Sequence, residues 1–232
     1  MKLAIMQPYF FPYLGYFHLV NAVDKFVFYD DVNYIKNGWI NRNRLLFSDN
    51  PKYFTIPLAG ASPFLKIDQI CVQQNGIWQK KLSELMRYSY LKAPNFKVVH
   101  QLFSDVLFVD DIRISELAKL SVKAVSEYLG LATQFIESSS VYKNVQLKGA
   151  ERVLDICIRE KASEYYNLPG GRLLYDEELF NLNGVELHFI LPKLVPYKQF
   201  LNTFQPCLSI IDVLMFNDKD AIREMLNVGE RL

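Results

Sequence analysis

KLAIMQPYFFPYLGYFHLVNAVDKFVFYDDV, residues Lys2 to Val32, decides the fold. Leu3, Ala4, Ile5 and Met6 form a short apolar run, as a strand buried on both faces requires. Pro8 and Pro12 then interrupt the chain, and Pro12 can open a helix because the first helical residue needs no amide hydrogen. Leu14, Phe17, His18 and the Ala22/Val23 pair follow at helical spacing, and Phe26 to Tyr29 is a second apolar run. The stretch therefore predicts a βαβ unit of about minimal length. Ligands of open α/β sheets bind at the carboxyl ends of strands, beside helix N-termini. Gln7 to Tyr16 and Tyr29 to Asn33 are the segments this rule places there.

At 232 residues the chain is long enough to bury a full core, and it is read as one α/β domain over 1–232 with an insertion at about 34–72. Its 26 basic and 25 acidic residues leave a net charge of +1, which argues against a polyanion-binding surface and against nucleic acid as partner. The strongest apolar run near the end, Leu208 to Phe216, is too short to span a bilayer and carries Asp212, so no membrane insertion is expected. The first residues show no secretory signal pattern. Three cysteines, Cys71, Cys157 and Cys207, are far apart and form no CxxC, which points to a reducing cytoplasm.

Aromatic residues concentrate early: residues 9 to 54 hold 14 of the 33 Phe, Tyr and Trp side chains. Two readings stand side by side, a core rich in rings and a cleft whose tyrosines stack a base or sugar ring. Trp39 to Phe47 alternates, with Trp39, Asn41, Asn43 and Leu45 on one face and Ile40, Arg42, Arg44 and Leu46 on the other. A turn at Ser48 to Pro51 returns into Lys52 to Pro57, giving a β-hairpin. Lys36, Arg42 and Arg44 lie within nine residues and suit a phosphate-bearing ligand, although a solvated charged face reads the same way.

Ile67 to Val72 reads as a further strand, Ile77 to Ser89 and Ile114 to Leu129 as helices, and Gln134 to Glu137 as a strand ending at Ser138 to Ser140. Gly149 to Ala162 is helical, and Glu164 to Asn167 is a strand running into Pro169-Gly170-Gly171. That corner offers backbone amides where an anion or ring can approach, with Arg172, Tyr175 and Asp176 close by. Val185 to Leu191 is the last strand, and a terminal helix follows from Asp218. Ser209 and Asp212 are read as helix-capping residues. The pattern as a whole predicts an α/β, Rossmann-like, mostly parallel sheet with an inserted β-hairpin and a helical middle segment.

Several chemistries are missing. There is no GxGxxG, no GxxxxGK[ST], no HExxH and no GxSxG. His18, His100 and His188 show no metal-ligand spacing. His188 reads as a structural histidine within its strand, and His18, just after the aromatic turn, as a candidate acid, base or phosphate donor. No metal site is assigned, though Asp30-Asp31 can take magnesium together with substrate phosphates.

The runs MQPYFFPYLGYFHLV, DKFVFYDDVNYIKNGWINRNRL, YYNLPGG and FQPCLSIIDVLMFND together resemble the WbqC-like family of bacterial proteins. That resemblance implies association with gene clusters for O-antigen and other surface glycans. More distantly, Tyr13-Leu14-Gly15-Tyr16 at a helix start resembles the HxGH turn of nucleotidylyltransferases, with both histidines replaced by tyrosine. A phenol donates a hydrogen bond but is neutral near pH 7. Taken together, the expectation is a transferase acting on a nucleotide-sugar or other phosphorylated precursor, by acyl- or aminoacyl-type group transfer. Asp30, Asp31 and His18 would be catalytic. Gln7, Tyr9, Tyr13, Gly15, Tyr16, Lys36, Arg42, Asn43, Pro169, Gly170, Gly171 and Tyr175 would bind substrate. The alternatives are nucleotidyl transfer and a non-catalytic binding or regulatory protein of glycan assembly.

Overall fold

The computed structural model describes residues 1–47, 50–109, 112–201 and 203–231. The opening stretch folds as β1 (Lys2–Met6), α1 (Leu14–Asn21) and β2 (Lys25–Phe28). Helix α1 starts two residues later than Pro12 suggests, with Tyr13 as its N-cap. A hairpin of β3 (Arg42–Phe47) and β4 (Asn50–Thr55) follows, then a two-residue pair, β5 (Leu58–Ala59) and β6 (Cys71–Val72). The expected strand at Ile67 to Val72 is instead a 3-10 turn, Ile67–Gln69, leading into β6. Ser48 and Asp49 of the expected hairpin turn lie outside the described residues.

Three helices make the middle: α2 (Ile77–Tyr90), α3 (Phe96–Leu107) and α4 (Ile114–Leu129). Then come β7 (Gln134–Ile136), α5 (Gly149–Arg159), β8 (Glu164–Asn167), α6 (Glu177–Leu182), β9 (Glu186–Leu191), α7 (Ile210–Phe216), α8 (Lys219–Leu226) and β10 (Glu230–Arg231). Helices α3 and α6 were not anticipated from the periodicity.

The main sheet has the order β10-β9-β8-β1-β2-β7, parallel except for β10. Counted by first appearance, its five parallel strands run 3-2-1-4-5, the Rossmann-like arrangement. The strand order reverses between β1 and β8, so Gln7 and Leu168 leave the sheet at its switch point. Alternation along the strands sends Ala4, Phe26, Phe28 and Tyr166 to one layer, with α1, α3, α4, α7 and α8. Leu3, Ile5, Val27 and Tyr165 go to the other, with α5 and α6. Helices on both faces explain why the strands read as continuous apolar runs. Among the described residues, no helix is long and apolar enough to cross a membrane.

Candidate functional site

The aromatic turn after β1 is a strained piece of backbone. Phe11 has φ +41°, a left-handed value that a bulky side chain rarely adopts. Buried hydrogen bonds from three distant elements hold it there. Its amide donates to Ser121 Oγ of α4 at 2.8 Å, and its carbonyl accepts from Asn43 Nδ2 at 2.6 Å and Ser209 Oγ at 2.7 Å. Strain over-determined in this way is common where a protein shapes a binding surface.

What the turn shapes is a cleft of about 250 Å³ lined by Tyr9, Pro12, Tyr13, Trp39, Asn43, Arg44 and Cys207. Arg44 sits 5.9 Å from the Trp39 ring centre and donates from Nη2 to the Cys207 carbonyl at 3.0 Å. Its Nε is buried without a hydrogen-bond partner among the described residues. Burial raises the pKa of Tyr9, and burial followed by the nearby Cys207 and Tyr9 pushes Tyr13 up to about 12. Both phenols are therefore neutral donors at ordinary pH. Three rings, two phenol hydroxyls, a thiol and one guanidinium suit a flat or sugar ring attached to an anion.

Of the expected binding residues, Tyr9, Tyr13 and Asn43 meet in this cleft. Asn43 shapes it, because its amide is committed to the Phe10 and Phe11 carbonyls. Gly15 lies beneath the Tyr13 ring, and a Cβ there would overlap Tyr13 Cε2. Tyr16 is fully buried and donates to the Gln7 carbonyl at 3.0 Å. Lys36 is exposed on a separate shallow pocket with Tyr34 and Asn41. Arg42 donates from Nε to the Gly38 carbonyl and from Nη2 to the Asn37 carbonyl, and stacks 4.8 Å from the Tyr53 ring. His18 is buried, with Nδ1 3.1 Å from the Leu14 carbonyl and Nε2 without a hydrogen-bond partner among the described residues. Burial lowers its pKa, against the Leu14 and Met225 carbonyls, which raise it.

The two aspartates are only 1 % and 3 % exposed. Asp30 accepts from Lys119 Nζ at 2.8 Å and Ser138 Oγ at 2.6 Å. Asp31 accepts from Arg152 Nη2 at 2.6 Å and from Ser139 Oγ. Both carboxylates are ion-paired and turned toward protein donors, so this pair does not present the free, partly hydrated oxygens that magnesium needs. The Arg152 guanidinium also lies 5.0 Å from the ring centre of Tyr29, a residue that electrostatically feels Asp31 and Tyr175.

The Pro-Gly-Gly corner forms a 3-10 turn, Pro169–Leu174, with Gly170 exposed. The turn engages the Gly171 amide, which donates to the Leu168 carbonyl at 3.0 Å. A Cβ on Gly171 would sit 2.9 Å from Asn167 Nδ2, which itself donates to Tyr175 at 3.2 Å. The structure thus makes two clusters at the carboxyl edge, the aromatic cleft and a corner in which the buried Asp31 and Arg152 meet the half-buried Tyr29, with Tyr175 beside them. Elsewhere, Glu164, Glu186 and His188 bring ligand-type atoms within 4.8 Å of one another at the start of β8 and β9, with His188 Nε2 3.4 and 3.3 Å from the carboxylates.

Arg44, expected only as one of three cations suited to a phosphate, lines the cleft, whereas Trp39 and Cys207 were not expected there. Cys207 arrives from the segment between β9 and α7, which a buried network fixes. Asp212 accepts from Tyr90 at 2.8 Å, Tyr197 at 2.5 Å and Gln199 at 2.7 Å. Tyr90 in turn accepts from the Leu46 amide of β3, so Asp212 ties hairpin and segment to α7.

A family model described as the WbqC-like protein family matches residues 7–224. A protein of Mycobacterium tuberculosis named "Uncharacterized protein Rv1507c" is 29% identical over 218 residues, covering 93% of each chain. No solved structure matches.

Proposed function

The chain belongs to the WbqC-like protein family, and on that premise we propose that it is a cytoplasmic transferase of surface-polysaccharide assembly, binding a nucleotide-sugar or other phosphorylated precursor in the aromatic cleft. One observation carries the reading: Arg44, without an ion-pair partner among the described residues, stands against Trp39 in a hollow walled by Tyr9 and Tyr13. A guanidinium with free donors binds phosphate by paired hydrogen bonds, and the rings take the attached base or sugar. Acyl or aminoacyl transfer to a hydroxyl or amine suits the set, since Arg44 and the neutral phenols can stabilise a developing oxyanion. On this reading the ion-paired Asp30 and Asp31 frame the sheet edge, and Pro169, Gly170 and Gly171 shape the neighbouring corner.

Two rival readings remain distinct by experiment. Nucleotidyl transfer needs two donors flanking the helix-start glycine, whereas the Tyr16 hydroxyl is bound to Gln7 and the Tyr13 ring covers Gly15. Pyrophosphate release from a nucleoside triphosphate would favour it. A non-catalytic binding protein is favoured by a cleft lining that carries no carboxylate among the described residues. The direct test is a thermal-shift panel of nucleotides, nucleotide-sugars and acyl donors. A ligand at 100 times its Kd adds about 2.7 kcal/mol, a shift of roughly 5–10 °C for a chain of this size. A panel that moves no melting temperature counts against the reading.

A further inference from the structure

The cleft is too small for a whole nucleotide-sugar. Pockets that enclose drug-sized ligands run to about 300–1,000 Å³, against about 250 Å³ here. It holds one ring system, and the remainder of a larger ligand must lie along whatever surface continues its wall.

That surface is the outer face of the hairpin. Arg42 and Arg44 alternate on β3, pairing in register with Thr55 and Tyr53 of β4. Their side chains form a continuous series with the rings. Arg44 lies 5.9 Å from Trp39, Trp39 lies 6.0 Å from Tyr53, and Arg42 lies 4.8 Å from Tyr53. Trp39, Tyr53 and Thr55 are exposed. Neither arginine, nor Lys36 or Lys52 nearby, has an ion-pair partner among the described residues. The two arginines are preorganised differently. Arg44 keeps a buried Nε with no acceptor, and Arg42 is locked in place by the Gly38 and Asn37 carbonyls, with Nη1 unengaged by any protein group described. Alternate residues on a strand stand roughly 7 Å apart. Two arginines whose backbones stand at that spacing on one strand face can address two linked phosphates from the same side.

We propose that the ligand of this cleft is a diphosphate-linked compound of the nucleoside-diphosphate class, its ring seated among Tyr9, Tyr13 and Trp39, its inner phosphate on Arg44 and its outer phosphate on Arg42 over Tyr53. The proposal rests on the reading of the cleft as a site for phosphorylated ligands and narrows it to a substrate class. Charge complementarity argues for it: the face offers cations and rings and no acid in the register Arg42, Arg44, Tyr53, Thr55.

The test is calorimetric titration with the adenine, guanine, cytosine, uracil and thymine nucleoside diphosphates and their monophosphates. At least one base should bind in both forms, the diphosphate more tightly by about tenfold or more, as charged hydrogen bonds warrant. Arg42→Ala should remove the diphosphate advantage, whereas Arg44→Ala should weaken both forms. Because Arg42 also holds the 37–38 loop, a second variant leaves it in place. Thr55→Glu sets a carboxylate beside it on the exposed face and should cut the diphosphate advantage, with Thr55→Gln as the neutral control. Equal affinity for both forms, or an advantage that survives both variants, overturns this proposal while leaving the cleft a phosphate site. No binding by any probe overturns it together with the reading it rests on.

Discussion

The ring of Tyr13 lies across Gly15, in the space a side chain at that helix position would need. In an ordinary helix Ala is favoured over Gly by about 1 kcal/mol. Here the sign reverses: Gly15→Ala should lower the melting temperature and weaken ligand binding, because the ring forming one wall of the cleft must move. The double variant Tyr13→Ala/Gly15→Ala should regain stability relative to the expected sum, a coupling that thermal unfolding of the four proteins measures. A rise in melting temperature on Gly15→Ala alone would contradict the packing.

Asp31 and Arg152 form a buried ion pair at 2.6 Å. Removing one partner leaves an uncompensated buried charge, so Asp31→Asn and Arg152→Met should each cost about 3–5 kcal/mol. The double variant should cost clearly less than the sum. Urea unfolding decides between this and simple additivity. A loss of activity in Asp31→Asn must therefore be compared at matched fraction folded before it is assigned to chemistry.

The same pair shows where sequence reading stops. The βαβ start, the mostly parallel sheet and the inserted hairpin follow from apolar runs and alternation, which are local. The twin aspartates look like a catalytic corner because Lys119 and Arg152, their partners, lie 89 and 121 residues downstream. Trp39 lies ahead of β3, which begins only at Arg42, and so it turns toward Arg44 and Tyr53 while still lining the cleft with Asn43. Cys207 has no local signal at all, since it reaches the cleft through tertiary ties at Arg44 and Asp212. Helix α3 was missed although its apolar face is well formed, whereas α6 is a single short helix behind an Asp176 cap.

Asp212 is fully buried, with no ion-pair partner among the described residues. Burial raises its pKa above 3.8, and its bonds from Tyr197, Tyr90 and Gln199 only partly oppose this. The folded protein thus holds this proton more tightly than the unfolded chain. The group's contribution is complete below the ordinary carboxylate value and declines as pH rises from there through the raised folded value. Asp212→Asn cannot titrate, so the stability difference between variant and wild type should move in the variant's favour across that interval. A pH-independent difference in urea midpoints would exclude the assignment.

Cys71 and Cys207 are exposed and Cys157 is buried, its thiol pushed up by that burial. A disulfide reagent should therefore modify two thiols quickly and the third only on unfolding. In a Cys71→Ser background, a bulky maleimide on Cys207 should fill the cleft and abolish ligand binding. Undiminished affinity after complete labelling would place the ligand elsewhere.

The cleft itself can be read by its own tryptophan. Trp78, the other indole, is buried against the Gln73 carbonyl, so Trp78→Phe leaves Trp39 as the sole reporter. Titrating that variant with nucleoside monophosphates, nucleoside diphosphates and nucleotide-sugars should give a saturable change in Trp39 emission, which Arg44→Ala removes while the protein stays folded. Flat emission across the whole panel from a folded protein, or saturation that persists without Arg44, would contradict the account.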